Sequence, residues 1–135
     1  MIKLHVLSKA DKTALTKHFA PGPNDLEKEP YPLVKRLASI EETVGTIDDF
    51  YAALCDHATQ GHCLFKGKLD HALHNESRAG HTNPDEPTQW LVLDNDGLHD
   101  LEPTALLALL GLADVDHIVS YSALALPGLA RQVMP

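Results

Sequence analysis

Two carboxylates one residue apart, Asp94 and Asp96, close the apolar run Leu91-Val92-Leu93 and are followed by Gly97. In an extended strand residues i and i+2 share a face, so both side chains can reach one cation. Carboxylate oxygens suit Mg2+ or Mn2+, and phosphate chemistry uses a divalent ion held in this way. Asn95-Asp96-Gly97 is also ordinary turn chemistry, which requires no ligand. An EF-hand does not fit, because Gly97 falls at the fourth place of the loop instead of the sixth and no Glu stands at the twelfth. Cysteine and histidine offer a second kind of chemistry. Cys55-Asp56-His57 and His62-Cys63 lie close in sequence, and His71 and His74 have helical spacing. Neither group has the paired-cysteine spacing of structural zinc sites, so none is expected there.

The elements that must position these residues follow from periodicity. Residues 2–7 alternate apolar and polar, as an edge or half-exposed strand does. Residues 8–19 carry Lys9, Lys12 and Lys17, and Pro21-Gly22-Pro23-Asn24 breaks any regular element, so a loop or hairpin excursion is expected. A short strand is expected over 31–37, confined to an edge by Pro30 and Pro32. Thr46 begins the clearest helix. Its hydroxyl can cap the first turn, Asp48 and Asp49 suit the positive end of the dipole, and Ile47, Phe50, Tyr51, Leu54 and Ala58 mark one face before Gly61 stops it.

Residues 62–66 read as the next strand, 67–87 as a long polar loop, and 88–93 as a buried strand that ends at Asp94. Pro103 suits the first turn of a second helix running to Gly111. A last strand is expected over 116–122, then an irregular tail over 123–135. This order predicts one domain over 1–135, α/β or α+β, with two main helices on a small mixed sheet.

At 135 residues and 44% hydrophobic the chain is long enough for one core and too apolar for disorder. No apolar run is long enough to span a membrane and no signal-peptide pattern opens the chain, so a soluble cytoplasmic protein without membrane partners is expected. The net charge of −8 opposes the basic excess usual in nucleic-acid binders, so any contact with DNA needs a local basic patch. Fourteen of the nineteen acids fall in close pairs, among them Asp94/Asp96, Asp100/Glu102 and Asp114/Asp116. Carboxylates at i and i+2 on a strand lie ~7 Å apart, comparable with phosphates along a nucleic-acid strand. Such pairs on one surface can occupy the DNA channel of a basic partner.

Four segments together resemble the N-terminal part of phage-type primase-polymerases of the archaeo-eukaryotic primase superfamily. They are Cys63-Leu64-Phe65-Lys66-Gly67, Asn75-Glu76-Ser77-Arg78-Ala79-Gly80, Thr88-Gln89-Trp90 and Leu93-Asp94-Asn95-Asp96-Gly97, and the resemblance extends loosely from residue 1 to about 122. It implies a metal-dependent nucleotidyltransferase in which Asp94 and Asp96 are metal ligands and Arg78 with Lys66 or Lys68 contacts nucleotide phosphates. That family follows its D-x-D with a Ser-x-His motif and a third carboxylate. Here no Ser-x-His follows Asp96 and no Asp or Glu follows Asp116. A haloacid-dehalogenase-type phosphatase, whose nucleophile motif 93–98 also resembles, needs a later Lys, and none follows Lys68.

Two functional expectations result. The first is a catalytically incomplete, primase-derived phage protein that binds a host DNA-handling enzyme (a topoisomerase, nuclease or polymerase) as a DNA mimic and inhibitor. It needs no cofactor, and its partner surface comprises the acids at 94, 96, 100, 102, 114 and 116. The second is the N-terminal segment of an active primase-polymerase that binds single-stranded DNA and nucleotides with Mg2+ or Mn2+.

Overall fold

The computed structural model describes residues 1–15, 19–24, 26–28, 34–94 and 102–120. The chain forms two compact units, 1–91 and 92–135.

The first unit is built on β1 (Ile2–Ser8), β4 (Leu37–Val44), β5 (Cys63–Phe65) and β6 (His74–Glu76), in the order β5-β1-β4-β6 with every pairing antiparallel. With α1 (Ile47–Thr59) against the sheet, the class is α+β. Two further short strands, β2 (Phe19–Pro21) and β3 (Leu26–Lys28), pair as a separate hairpin around the Pro-Gly-Pro break.

β1 is an interior strand and not the edge or half-exposed strand its alternation suggests. It pairs with β4 along its whole length and with β5 over His5–Leu7. Antiparallel partners share a face. Leu4 therefore lies beside Glu42 and Val6 beside Ile40, on the side where Glu42 meets His57 of α1 and where Phe50 and Ala53 are buried. Leu7 faces the opposite side, in a second core with Leu37, Leu69 and Leu73, flanked by Leu15, Val34 and Phe65. The sheet is thus covered on both faces, which is why Leu4, His5, Val6 and Leu7 are all buried.

α1 starts and stops as its sequence dictates. Thr46 Oγ1 accepts from Asp49 N at 3.1 Å. At the other end the Gly61 N–H reaches the Ala58 carbonyl and the His62 N–H reaches the His57 carbonyl, the paired closure made by a left-handed residue. Gly61 supplies that conformation with φ 72°. The same glycine lets another segment in: a Cβ at Gly61 would stand 2.6 Å from the Ala14 Cβ, and Leu15 N donates to the Gly61 carbonyl at 2.7 Å.

Three further expected elements differ. The strand expected over 31–37 begins only at Leu37 and runs to Val44, with 31–33 outside the described residues. The stretch 67–87, expected as a long polar loop, contains β6, buries Leu69 and Leu73, and closes an antiparallel bridge from Leu69 to Thr82. Ser39 ties it to the sheet, donating N–H to the Leu73 carbonyl and accepting the Leu73 N–H on Oγ at 2.8 Å. Residues 88–93 form no strand. Their backbone is held by side chains instead: the Gln89 amide oxygen lies 3.4 Å from Lys3 N, and the Trp90 indole donates to the Lys3 carbonyl at 3.2 Å. Lys3 lies beyond the reach of β5, so these groups finish its ladder, while the Trp90 ring packs on Phe50 with centroids 5.8 Å apart.

In the second unit Pro103 opens α2 (Pro103–Leu109), and Gly111 follows it at φ 72°. No strand occupies 116–120, and 121–135, including the expected tail, lie outside the described residues. No helix among the described residues is long and apolar enough to cross a membrane.

Candidate functional site

A cluster of cationic side chains lies in the first unit. Where β1 ends the chain turns at Lys12, whose N–H reaches the Lys9 carbonyl at 3.0 Å, and this turn faces the residues that lead into β4. Between them lies a cleft of about 420 Å3 lined by Lys9, Asp11, Lys35, Arg36 and Asn75, with Ala10 and Val34 supplying the apolar wall. Three cations and one carboxylate thus border a concavity in a chain of net charge −8.

The lining is fixed by backbone features. β6 pairs with β4 through Leu37↔Glu76 and Ala38↔His74, so Asn75 is the extra residue of a bulge. It takes φ 58°, a left-handed conformation that asparagine tolerates better than most side chains. Its carbonyl is thereby turned to accept Arg36 Nη1 at 3.1 Å. Lys9 Nζ stands 3.6 Å from Asp11 Oδ2. The Thr13 N–H, 2.9 Å from Asp11 Oδ1, holds that carboxyl below its usual range, with Lys9 adding to the effect. Arg36 therefore presents a pinned guanidinium and Lys35 an exposed ammonium to the same space. Sequence reasoning missed Lys35 and Arg36, although they are the only Lys or Arg residues adjacent to one another in the sequence.

The residues singled out beforehand are distributed differently. Lys66 is exposed just after β5, and Arg78 is exposed in the turn that ends where the His81 N–H meets its carbonyl. Lys68 is buried, with Nζ 3.4 Å from Glu86 Oε2, and is committed to that pair. Asp94 is exposed in the second unit, and the apolar residues before it, Leu91, Val92 and Leu93, are 71%, 44% and 45% exposed; they do not end a buried strand. Glu102 precedes α2 without a side-chain bond to its first turn, and Asp114 and Asp116 are exposed beyond it. Asp96 and Asp100 lie outside the described residues.

Two imidazole clusters complete the inventory. On α1, His57 Nε2 lies 2.8 Å from Glu42 Oε2 and its Nδ1 lies 2.9 Å from His62 Nδ1. In the 67–87 stretch, His71 Nδ1 lies 2.5 Å from Asp70 Oδ1 and its Nε2 3.1 Å from Glu76 Oε1, while His81 Nδ1 is 3.4 Å from Asp70 Oδ2. The hydrogen bond to Asp70, joined by that to Glu76, raises the His71 pKa against a desolvation cost. At Asp70 desolvation works upward, but the bonds to His71 and His81 outweigh it and lower the pKa. Glu76 is lowered chiefly by the His74 N–H and further by His71.

No family model matches the chain, and neither does any curated protein or solved structure.

Proposed function

We propose that the chain binds the phosphates of nucleotides and single-stranded DNA as part of a primase-polymerase-type protein, with Asp94 and Asp96 as ligands of a divalent cation. The observation that carries this reading is the basic cleft. Lys9, Lys35 and Arg36 converge there beside Asn75, the first residue of the Asn75-Glu76-Ser77-Arg78-Ala79-Gly80 segment on which the resemblance rests. Phosphate recognition needs a concave surface with cations whose geometry is set beforehand, and the bond from Arg36 to the Asn75 carbonyl provides one. Two other segments of the resemblance also reach the same sheet: Cys63–Phe65 pairs with β1, and Gln89 with Trp90 completes the Lys3 ladder. The proposal concerns binding. Ser-x-His and a third carboxylate, which phosphoryl transfer in that family uses, do not occur after Asp96 and Asp116 respectively in this sequence.

Acid mimicry of DNA is the second reading, favoured by one observation: Asp48/Asp49, Asp85/Glu86 and Asp114/Asp116 are exposed at both members. Against a continuous acidic array stand Glu41 and Glu42, which point to opposite faces of β4 and are engaged by Lys3 and His57.

Fluorescence anisotropy of a labelled single-stranded oligonucleotide separates the two. The phosphate-binding reading expects saturable binding by the wild-type chain and a loss of about tenfold or more in Lys9→Gln with Lys35→Gln, each contact contributing at least about 0.7 kcal/mol. Lys68→Met, which alters a buried ammonium outside the cleft, should bind as wild type. Unchanged binding by the cleft variant would sink the assignment. If the chain ignores DNA but holds a DNA-handling protein that DNA displaces, and Asp114→Asn with Asp116→Asn slows that association, mimicry is the function.

A further inference from the structure

The 67–87 stretch also carries a cluster of imidazoles and carboxylates, none of which lines the cleft. Its frame is a short antiparallel pinch: Leu69 bridges Thr82, Asp70 N donates to the His81 carbonyl at 2.9 Å, and Asn83 N donates to the Lys68 carbonyl at 2.8 Å. Lys68 and Leu69 are buried beneath it, so Asp70 and His81 face one another from anchored backbone. His71 adds a second imidazole, its ring edge-on to that of His81 with centroids 4.3 Å apart. One ligand atom from each of Asp70, His71 and His81 lies within 4.8 Å of the other two.

We propose that Asp70, His71 and His81 bind a divalent cation of the zinc class. Two imidazole nitrogens and one carboxylate select borderline transition metals over Mg2+, which prefers oxygen throughout. Zinc bonds of about 2.0–2.1 Å place neighbouring tetrahedral ligands roughly 3.4 Å apart. His81 Nδ1 and Asp70 Oδ2 already stand at 3.4 Å. Asp70 meets His71 through Oδ1 and His81 through Oδ2, so a small rotation of these partly exposed side chains brings one carboxylate oxygen and both imidazoles to a single ion.

Glu76 gives this site its outer carboxylate. Its Oε1, 3.1 Å from His71 Nε2, takes the N–H of the nitrogen that does not face the metal, the arrangement that orients ligand imidazoles in metal centres. Without metal, the proton that His71 Nδ1 shares with Asp70 stands in the ion's place. Binding releases it, and water takes the open fourth position. The cation then clips together the two ends of the segment from Asp70 to His81, which carries β6 and Arg78.

The test is calorimetric titration of the full chain, freed of metal by chelator, with zinc chloride in mildly alkaline buffer. One equivalent should bind and remain bound in excess Mg2+. His71→Gln, His81→Gln and Asp70→Asn should each weaken binding by about tenfold or more. Circular dichroism should stay unchanged, because all three side chains are at least partly exposed. His74→Gln and His57→Gln should bind as wild type. Absence of stoichiometric zinc, wild-type affinity in both His71→Gln and His81→Gln, or loss of zinc in His57→Gln would each overturn the assignment.

Discussion

The fold constrains the ionisation of His5. It sits in the middle of β1 at 5% exposure, with Nε2 3.6 Å from Glu41 Oε2. Burial lowers its pKa. Glu41 opposes the shift, Lys3 and Lys68 reinforce it, and Glu86 opposes it weakly. With the folded value below the unfolded 6.5, the unfolded chain binds more protons in the window between the two, so stability falls as pH drops through that window. His71 works in the opposite sense. Its raised pKa contributes stability below its unfolded value of about 6.5, and that contribution disappears as pH rises through the folded value. Urea unfolding midpoints of the metal-free chain should therefore lose less between neutral and mildly acidic pH in His5→Leu than in wild type. Parallel profiles for the two proteins would show that His5 is protonated in the fold without penalty.

Among the elements, α1 was legible because its signals are local. Thr46, the acidic first turn, the apolar face and Gly61 all lie within one stretch, and each does what its chemistry suggests. Removing the cap in Thr46→Ala should cost about 0.5–2 kcal/mol in thermal or denaturant unfolding. Gly61→Ala should cost about 2 kcal/mol or more, since it adds left-handed strain to a Cβ contact with Ala14 that neither backbone can easily relieve. A smaller loss at Gly61 than at Thr46 would mean that the segment around Ala14 moves aside cheaply.

The strands were less legible, for reasons that are equally physical. In β4, Glu41 and Glu42 interrupt the alternation, because one side chain turns to Lys3 and the other to His57. β6, His74-Asn75-Glu76, has no apolar residue and owes its existence to backbone pairing with β4 across a bulge. The run before Asp94 looked like a buried strand by composition, yet its order comes from Gln89 and Trp90 reaching Lys3, a use of side chains that periodicity does not reveal. The cleft was hidden for a different reason: positions 9, 35, 36 and 75 meet only once β1, β4 and β6 are side by side.

For the whole molecule, charge sets how a ligand arrives. The net −8 repels nucleic acid at long range while the cleft attracts it at short range, so screening weakens both at once. Three phosphate contacts on a single strand give a slope of about −2 for the logarithm of the binding constant against that of salt concentration. In Lys9→Gln with Lys35→Gln the slope should shrink to roughly −0.7. A wild-type slope near zero, measured by anisotropy across a salt series, would exclude phosphate contacts as the basis of binding.

The interior position of β1 also bears on how the chain is made. A ribosome adding about 5–20 residues per second finishes Val44 roughly 2–7 s after Ser8, and β5 later still. During that interval Leu4, Val6 and Leu7 emerge as a strand with neither neighbour available, a nascent segment with two unsatisfied edges. β1 therefore has no partner in the sheet until β4 has emerged, and codon changes that lengthen the interval between the emergence of the two strands should lower the soluble yield without altering a single residue.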